Sequence, residues 1–388
     1  MLKILWLSDV PPNINSGAAG TEYQIVQSFN ELGIQIKKLW SDDIPSKIKH
    51  GNLHYAIELP RAYKNICLNI LKEEKYDVVI ISQPHGFMAF KSIKQKFPNV
   101  LCIHFSHGFE AHVSSIIDFW ELKYKFDQRS KLRQFGSYLL TKYLNLHSAW
   151  IANNADGHIF SSQKCRKFME VNYRVANKNI LAVHQGLSSD FLVDQKNITD
   201  HQRLHKILYV GQFAFVKAPI ICAEAINNLI TLHPQLEFTW VCSKVHHSEV
   251  LNLLSEKARD KVVVLDWMSQ KQLIELYDEH GIFIFPSFVE GFGKAALEAM
   301  SRGMCVVASE SVGMVDLITP MTNGIITSTG NSDEIVSAVN TLISDFEFAS
   351  NISTQAILTA TKCTWDSTAL QMLSFFEFLI SQKDAQVI

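Results

Sequence analysis

The stretch Ile282-Phe-Ile-Phe-Pro-Ser-Phe288-Val-Glu290-Gly-Phe-Gly-Lys294-Ala-Ala-Leu-Glu298-Ala-Met-Ser-Arg-Gly303 decides how the rest of this chain reads. Its first four residues are an unbroken apolar run that stops at Pro286-Ser287, so a buried strand ends in a turn. Gly291 and Gly293 punctuate the loop that follows, and a helical run then closes at Gly303. A strand, a glycine loop and a helix N-terminus in succession offer backbone N–H groups and the positive end of a helix dipole, which suit an anion such as phosphate. Glu290 in the loop and Glu298 in the helix stand eight positions apart. Ionised carboxylates accept hydrogen bonds and donate none, so they suit vicinal hydroxyls. Phosphate plus diol describes a nucleotide sugar. Two glutamates at this spacing mean little by themselves in a chain that is 19% charged; the strand, loop and helix around them give the pair its meaning. The bland alternative is a surface helix with ordinary acids.

At 388 residues the chain exceeds one ordinary core, so two domains are the default. No run of about 18 apolar residues stands out, so no membrane-spanning helix is expected. Met1 to Asp9 reads as a first strand, not as a signal peptide. Seven cysteines are scattered without a Cys-x-x-Cys pair and read as buried thiols of a reducing compartment. The net charge of −2 hides an asymmetry, +7 over residues 1–190 and −9 over residues 191–388. A basic first half favours an anionic surface or acceptor.

Strand-like runs fall at 3–8, 35–40, 77–82, 100–105, 157–161 and 180–184, then at 206–210, 237–242, 261–265, 281–285, 305–309 and 324–327. They are rich in Val and Ile without clean alternation and are separated by helical patterns. That combination predicts parallel sheets covered on both faces: an α/β chain of two doubly wound domains facing a central cleft. The first domain is placed at 1–193 and the second at 206–362, with polar residues 194–206 as the linker.

The context Pro286-Ser287…Glu290-Gly-Phe-Gly293…Glu298-Ala299 resembles the large retaining glycosyltransferase family 4, the glycosyl transferases group 1, which have the GT-B fold of two Rossmann-like domains. The resemblance implies transfer of a sugar from a nucleotide-sugar donor to a hydroxyl acceptor, with Glu290 at the transferred sugar and Glu298 on the ribose hydroxyls. It also implies that the tail, 363–388, is a helix crossing back to the first domain. The second domain opens with Lys206-Ile-Leu-Tyr-Val-Gly211-Gln212-Phe-Ala-Phe-Val-Lys217. The family usually has Gly-Arg here with a lysine five residues after the arginine, and the pair grips the donor diphosphate. Lys217 matches the lysine, and Gln212 replaces the arginine. An amide still donates but brings no charge, so the clamp should be weaker. As the sugar–phosphate bond breaks, charge builds on the diphosphate; Lys217, Gln212 and the amides of Gly291, Phe292, Gly293 and Lys294 would stabilise it. There is no Asp-x-Asp at a strand end, and Asp42-Asp43 read as the polar end of the second strand. Neither a metal nor any other cofactor is expected.

The first domain offers two further features. Gly17-Ala-Ala-Gly20-Thr-Glu22 opens an amphipathic helix carrying Ile25, Val26, Phe29 and Leu32, stopped by Gly33. The family commonly has Gly-Gly before an acid at this place; Gly20 matches and Ala19 is its neighbour. Phe105-Ser-His107-Gly108-Phe-Glu110 resembles the family's strand-end His-Gly-x-Glu, which implies that His107 lies near the donor sugar and donates a hydrogen bond to one of its hydroxyls. A structural histidine is the alternative. Residues 119–143 mix six basic residues and two acidic ones with aromatics, the composition of a surface that meets an anionic membrane, or of a helix with its aromatics turned inward. No recognition motif for nucleic acid accompanies the patch. These features place the chain in the cytoplasm, peripheral to the inner face of the membrane, in polysaccharide or glycolipid synthesis. A dinucleotide-dependent oxidoreductase would need a Gly-x-Gly-x-x-Gly turn after the first strand, and the Ser8 to Gly20 stretch has the wrong spacing. A nucleotide-sugar epimerase or hydrolase of the same fold, or a non-catalytic nucleotide-sugar-binding protein, is the remaining alternative. The donor base and sugar, the acceptor and the linkage do not follow from these residues.

Overall fold

The computed structural model describes residues 2–385 apart from 14–16, 49–52, 109, 125–130, 199–200 and 312. Two six-stranded sheets form, each entirely parallel among the described residues. The first contains β1 (Lys3–Leu7), β2 (Gln35–Leu39), β3 (Val78–Ser82), β4 (Leu101–Ser106), β5 (Gly157–Phe160) and β6 (Ile180–Ala182), in the order β2-β1-β3-β4-β5-β6. The second contains β7 (Lys206–Val210), β8 (Glu237–Val241), β9 (Val262–Leu265), β10 (Ile282–Phe285), β11 (Cys305–Ser309) and β12 (Ile325–Thr327), in the order β12-β11-β10-β7-β8-β9. Each strand except the edge strand β2, Gln-Ile-Lys-Lys-Leu, coincides with an apolar run of the sequence. Seven helices matter below: α1 (Gly17–Glu31), α2 (Glu110–Tyr124), α3 (Lys131–Asn154), α4 (Pro219–Leu232), α5 (Gln270–Glu279), α6 (Lys294–Ser301) and α7 (Trp365–Ala385).

The strands lack alternation because both faces are covered. In β1, Ile4 and Trp6 pack with Ile25 and Phe29 of α1 and with Met372 and Phe376 of α7. Leu5 and Leu7 point to the other face, among Tyr63, Phe90 and Ile93. Each large apolar side chain so buried contributes about 1.5–3 kcal/mol of transfer free energy, so α7 is fastened by its apolar face. Gly157 lets that helix come close: a Cβ there would lie 2.6 Å from Leu379 Cδ1.

The chain divides into two compact units, 1–186 with 365–388, and 187–364. The ends of the second unit are tied together, since the Leu187 N–H donates to the Cys363 carbonyl at 3.0 Å. The polar stretch 194–206, read above as the linker, lies inside this second unit. Two arginines hold it there through backbone carbonyls. Arg302 donates to those of Val193 and Asp194 at 2.5 and 2.9 Å, and Arg203 to those of Lys196 and Arg302 at 2.8 and 2.6 Å. Asp42 and Asp43 sit in a short 3-10 turn after β2, where the Asp43 carboxylate accepts from the Trp40 N–H at 2.9 Å, and not within the strand. Among the described residues one stretch, Phe215–Leu232, is apolar and long enough to cross a membrane by composition. It contains α4, whose Ile221, Cys222, Ala225, Ile226 and Leu229 are buried in the second unit.

Each sheet has one point where the winding changes direction, between β1 and β3 in the first unit and between β7 and β10 in the second. Open α/β sheets bind ligands outside the carboxyl ends of their strands at such a point.

Candidate active site

In the second unit, the residues singled out from sequence gather at the switch point. Gly211 follows β7, and its N–H donates to the Val241 carbonyl at 3.1 Å. Only glycine fits comfortably, because a Cβ would stand 2.7 Å from the Tyr209 hydroxyl oxygen. Gln212 is exposed just beyond it. A single 3-10 turn, Phe215–Lys217, then leads through Ala218, at φ +52°, into α4. The Phe288 N–H of the loop after β10 donates to the Val216 carbonyl at 2.9 Å, which stitches the two loops together across the switch point. The result is a direct contact: the Lys217 ammonium is ion-paired with the Glu290 carboxylate, and its Nζ lies 5.8 Å from the Phe285 ring centroid.

The loop holding Glu290 is anchored at three places. Phe292 is buried among the apolar side chains beneath the sheet. The Gly313 N–H donates to the Glu290 carbonyl at 3.0 Å, and this close approach requires glycine, because a Cβ at 313 would lie 2.3 Å from Phe292 Cα. Gly293, at φ +103°, adopts the left-handed conformation that starts α6. Lys294 opens the helix; of the first-turn amides, those of Ala296 and Leu297 donate to the Gly293 carbonyl at 2.9 and 3.1 Å, whereas those of Lys294 and Ala295 have no partner within the helix. Gly303, at φ +71°, ends it. Glu298, on the second turn, is buried. The Tyr277 hydroxyl of α5 donates to its Oε2 at 3.3 Å, and Lys294 Nζ stands 3.7 Å from Oε1. Burial pushes the Glu298 carboxyl above its ordinary value, with Lys294 and Tyr277 pulling the other way.

Gly20 and His107 lie in the first unit. The helix begins at Gly17, so Gly20 is a buried residue of the first turn of α1 and not part of an open loop. His107 follows β4, and its Nε2 lies 3.1 Å from Oε1 of Glu22. Phe109 lies outside the described residues, and so does the side chain of Glu110. Of segment 119–143, residues 125–130 are likewise outside them. The described part divides. Trp120 is buried, whereas Phe119, Leu122, Tyr138, Leu139 and Tyr143 are exposed, Leu122 by 81%. Lys123 and Lys142 lie over the rings of Trp120 and Tyr138, each at 4.7 Å.

Two side chains escaped the sequence reading, Glu22 at the first unit's switch point and Arg302 at the C-terminal end of α6. Glu22 was quoted only as the acid after Gly20, and Arg302 only as the residue before Gly303. Arg302 is 2% exposed; it clasps Asp278 with two hydrogen bonds of 2.8 Å while holding the start of the second unit against α6. Among the described residues, no group of three or more His, Cys, Asp or Glu side chains is arranged to hold a metal ion.

Comparisons with known proteins agree with this geometry. A sucrose-phosphate synthase from Thermosynechococcus elongatus superposes with a TM-score of 0.74 at 16% identity, covering 98% of this chain and all of that one. Anabaena HepE, solved in complex with UDP, superposes with a TM-score of 0.68 at 16% identity and the same coverage. The fold is therefore GT-B. Residues 193–359 match the family described as glycosyl transferases group 1, a span that includes Gly211, Gln212, Lys217 and the whole loop and helix from Glu290 to Glu298. An uncharacterized glycosyltransferase of Methanocaldococcus jannaschii is 33% identical over 120 residues, which are 31% of each chain. The chain spans about a third to a half of the length of the curated relatives it matches. Together these findings show the GT-B fold and a likeness of residues 193–359 to the glycosyl transferases group 1.

Proposed function

We propose that the chain is a retaining glycosyltransferase that moves a sugar from a nucleotide-sugar donor to a hydroxyl acceptor, in the synthesis of a cell-surface polysaccharide or glycolipid. The observation that carries this reading is the Lys217–Glu290 ion pair at the β7/β10 switch point, beside the N-terminus of α6 and within the span matched to the group 1 family. A diphosphate entering there competes for the Lys217 ammonium and meets the first-turn amides of α6. Glu290, released from its partner, is then free to accept from sugar hydroxyls, and Glu298 accepts from the ribose diol. In the transfer, the anomeric carbon–oxygen bond to the diphosphate breaks. The acceptor oxygen bonds the same carbon on the same face, and its proton passes to the departing phosphate oxygen. Lys217 and the amides stabilise the charge that grows on that oxygen; Gln212 adds a neutral donor. No metal is assigned a part. The solved HepE complex with UDP supports a nucleoside diphosphate as the ligand class.

For the partner surface, α2 and α3 offer exposed apolar and aromatic side chains, among them Tyr138 with Lys142 laid over its ring. On α3, Leu139, Tyr143 and Leu146 recur at helical spacing, all exposed. We assign this surface to the headgroup region of an anionic bilayer on the cytosolic side. The test of function is turnover. UDP-, GDP- and ADP-sugars are incubated with lipid-linked and free saccharide acceptors, and nucleoside diphosphate release is followed. Acceptor-dependent release with one donor, and a product of retained anomeric configuration, is expected. Release that no acceptor stimulates would favour a hydrolase.

A further inference from the structure

In the second unit, one charge stands where a helix disfavours it. Lys294 is the first residue of α6, and an ammonium there opposes the positive end of the helix dipole. Its counter-ion, Glu298, lies four residues further along the same helix. A lysine placed N-terminal to its glutamate is the poorer order for such a pair. Nζ stands 3.7 Å from Oε1, outside hydrogen-bond length, and the lysine side chain is 26% exposed. Two local preferences are thus broken at once, at a cost to the ligand-free fold. An anion at this helix end reverses both, because it meets the ammonium together with the Lys294 and Ala295 amides.

Around the β7/β10 switch point, each of two ammoniums is matched by one carboxylate, Lys217 by Glu290 and Lys294 by Glu298. The four charges cancel, and Gln212, exposed beside Gly211, adds none. A diphosphate therefore has to draw ammoniums away from their carboxylates. A nucleotide sugar brings the replacements itself, since its hydroxyls donate to the carboxylates left behind. Lys217 and Glu290 make this exchange with the leaving phosphate and the transferred sugar in the reaction proposed above. Lys294 and Glu298 repeat the arrangement on the ribose side. A lysine suits it, because the flexible four-carbon stem lets the ammonium swing from one oxygen to another.

We propose that the Lys294 ammonium is the second cation of the diphosphate site: it leaves Glu298 when the ribose hydroxyls arrive and supplies the charge that Gln212 does not. This rests on the glycosyltransferase reading and extends it, because that reading uses only the Lys294 amide. A lysine that served only as the partner of Glu298 would steady the ribose contact and make none with phosphate.

Isothermal titration of the full chain with UDP, GDP and ADP separates the two roles. Wild type, K294M, Q212R and the double variant are compared, and melting of each ligand-free protein checks that it is folded. With the diphosphate that the wild type binds most tightly, K294M should raise Kd about tenfold. That loss alone does not decide, because K294M also leaves Glu298 without its cation. The double variant does. Q212R added to K294M should return Kd to within about threefold of wild type and should gain less in the wild-type background, because two cations on one ligand charge are not additive. A Kd for K294M within about twofold of wild type overturns the proposal, and so does a gain from Q212R no larger in K294M than in the wild type. If no diphosphate binds the wild type, the glycosyltransferase reading itself fails, and Lys294 has no diphosphate to meet.

Discussion

Burying a carboxylate costs free energy when it is ionised, and Glu298 carries that cost beside the start of α6. A raised native pKa means that the folded chain binds the proton more tightly than the unfolded one. Stability from this group is therefore greatest below the ordinary carboxylate value of 4.5. It falls as pH climbs toward the raised value, and the whole cost is present above it. Glu298→Gln should thus raise the melting temperature of the ligand-free protein at pH 7.5 by about 2–4 °C, with the gain vanishing below pH 4. A melting temperature that falls at pH 7.5 would mean that Lys294 and Tyr277 more than offset the burial. Lys217→Ala bears on the proposed reaction: it removes the cation assigned to the leaving group and strands Glu290. Donor turnover should drop at least about tenfold, chiefly in kcat, and unchanged kcat in a steady-state assay would remove Lys217 from the chemistry. Residues of this kind were legible because Gly211, Lys217, Glu290 and Glu298 lie in short windows of sequence. Glu22 was not, since its partners come from positions 8, 38, 82 and 107, which only the sheet order brings together.

Among elements, the strand–loop–helix from β10 to α6 read directly from its residues. A parallel strand buried on both faces is a continuous apolar run, and Gly293 and Gly303 mark the two ends of the helix by their left-handed backbone. The start of the second unit did not read, because a polar stretch held by arginines through backbone carbonyls leaves no apolar signature. Arg302 does most of that holding, with the half-buried Asp278 as its counter-ion. Arg302→Ala should destabilise the second unit by about 3–5 kcal/mol, since it leaves Asp278 and several carbonyls without their donor. Chemical denaturation with a probe in this unit, such as Trp240 or Trp267 fluorescence, checks it. A change under about 0.5 kcal/mol, the size of an ordinary surface substitution, would show the clasp to be dispensable.

For the molecule as a whole, two parallel sheets were legible from twelve apolar runs, whereas the unit boundary at 186–187 fell earlier than the polar break suggested. The charge asymmetry and the aromatic-rich segment 119–143 suggested a partner for the first half, and the structure leaves Phe119, Leu122, Leu139 and Leu146 exposed. If that surface meets a bilayer, L122E with L146E should abolish co-sedimentation with phosphatidylglycerol vesicles while leaving turnover of a soluble acceptor unchanged. Undiminished sedimentation would reject the surface. The central claim, that the second unit holds a nucleotide sugar between Lys217, Glu290 and Glu298, is tested most directly by a thermal-shift panel. Wild type and Glu298→Gln are melted with UDP, GDP, ADP and their sugar conjugates, with NAD and NADP as controls. A ligand that binds only the folded state raises the melting temperature with its affinity. The account predicts a rise with one nucleoside diphosphate and its sugar conjugates in the wild type, lost or much reduced in Glu298→Gln. A rise with NAD or NADP alone, or one that Glu298→Gln leaves intact, would contradict it.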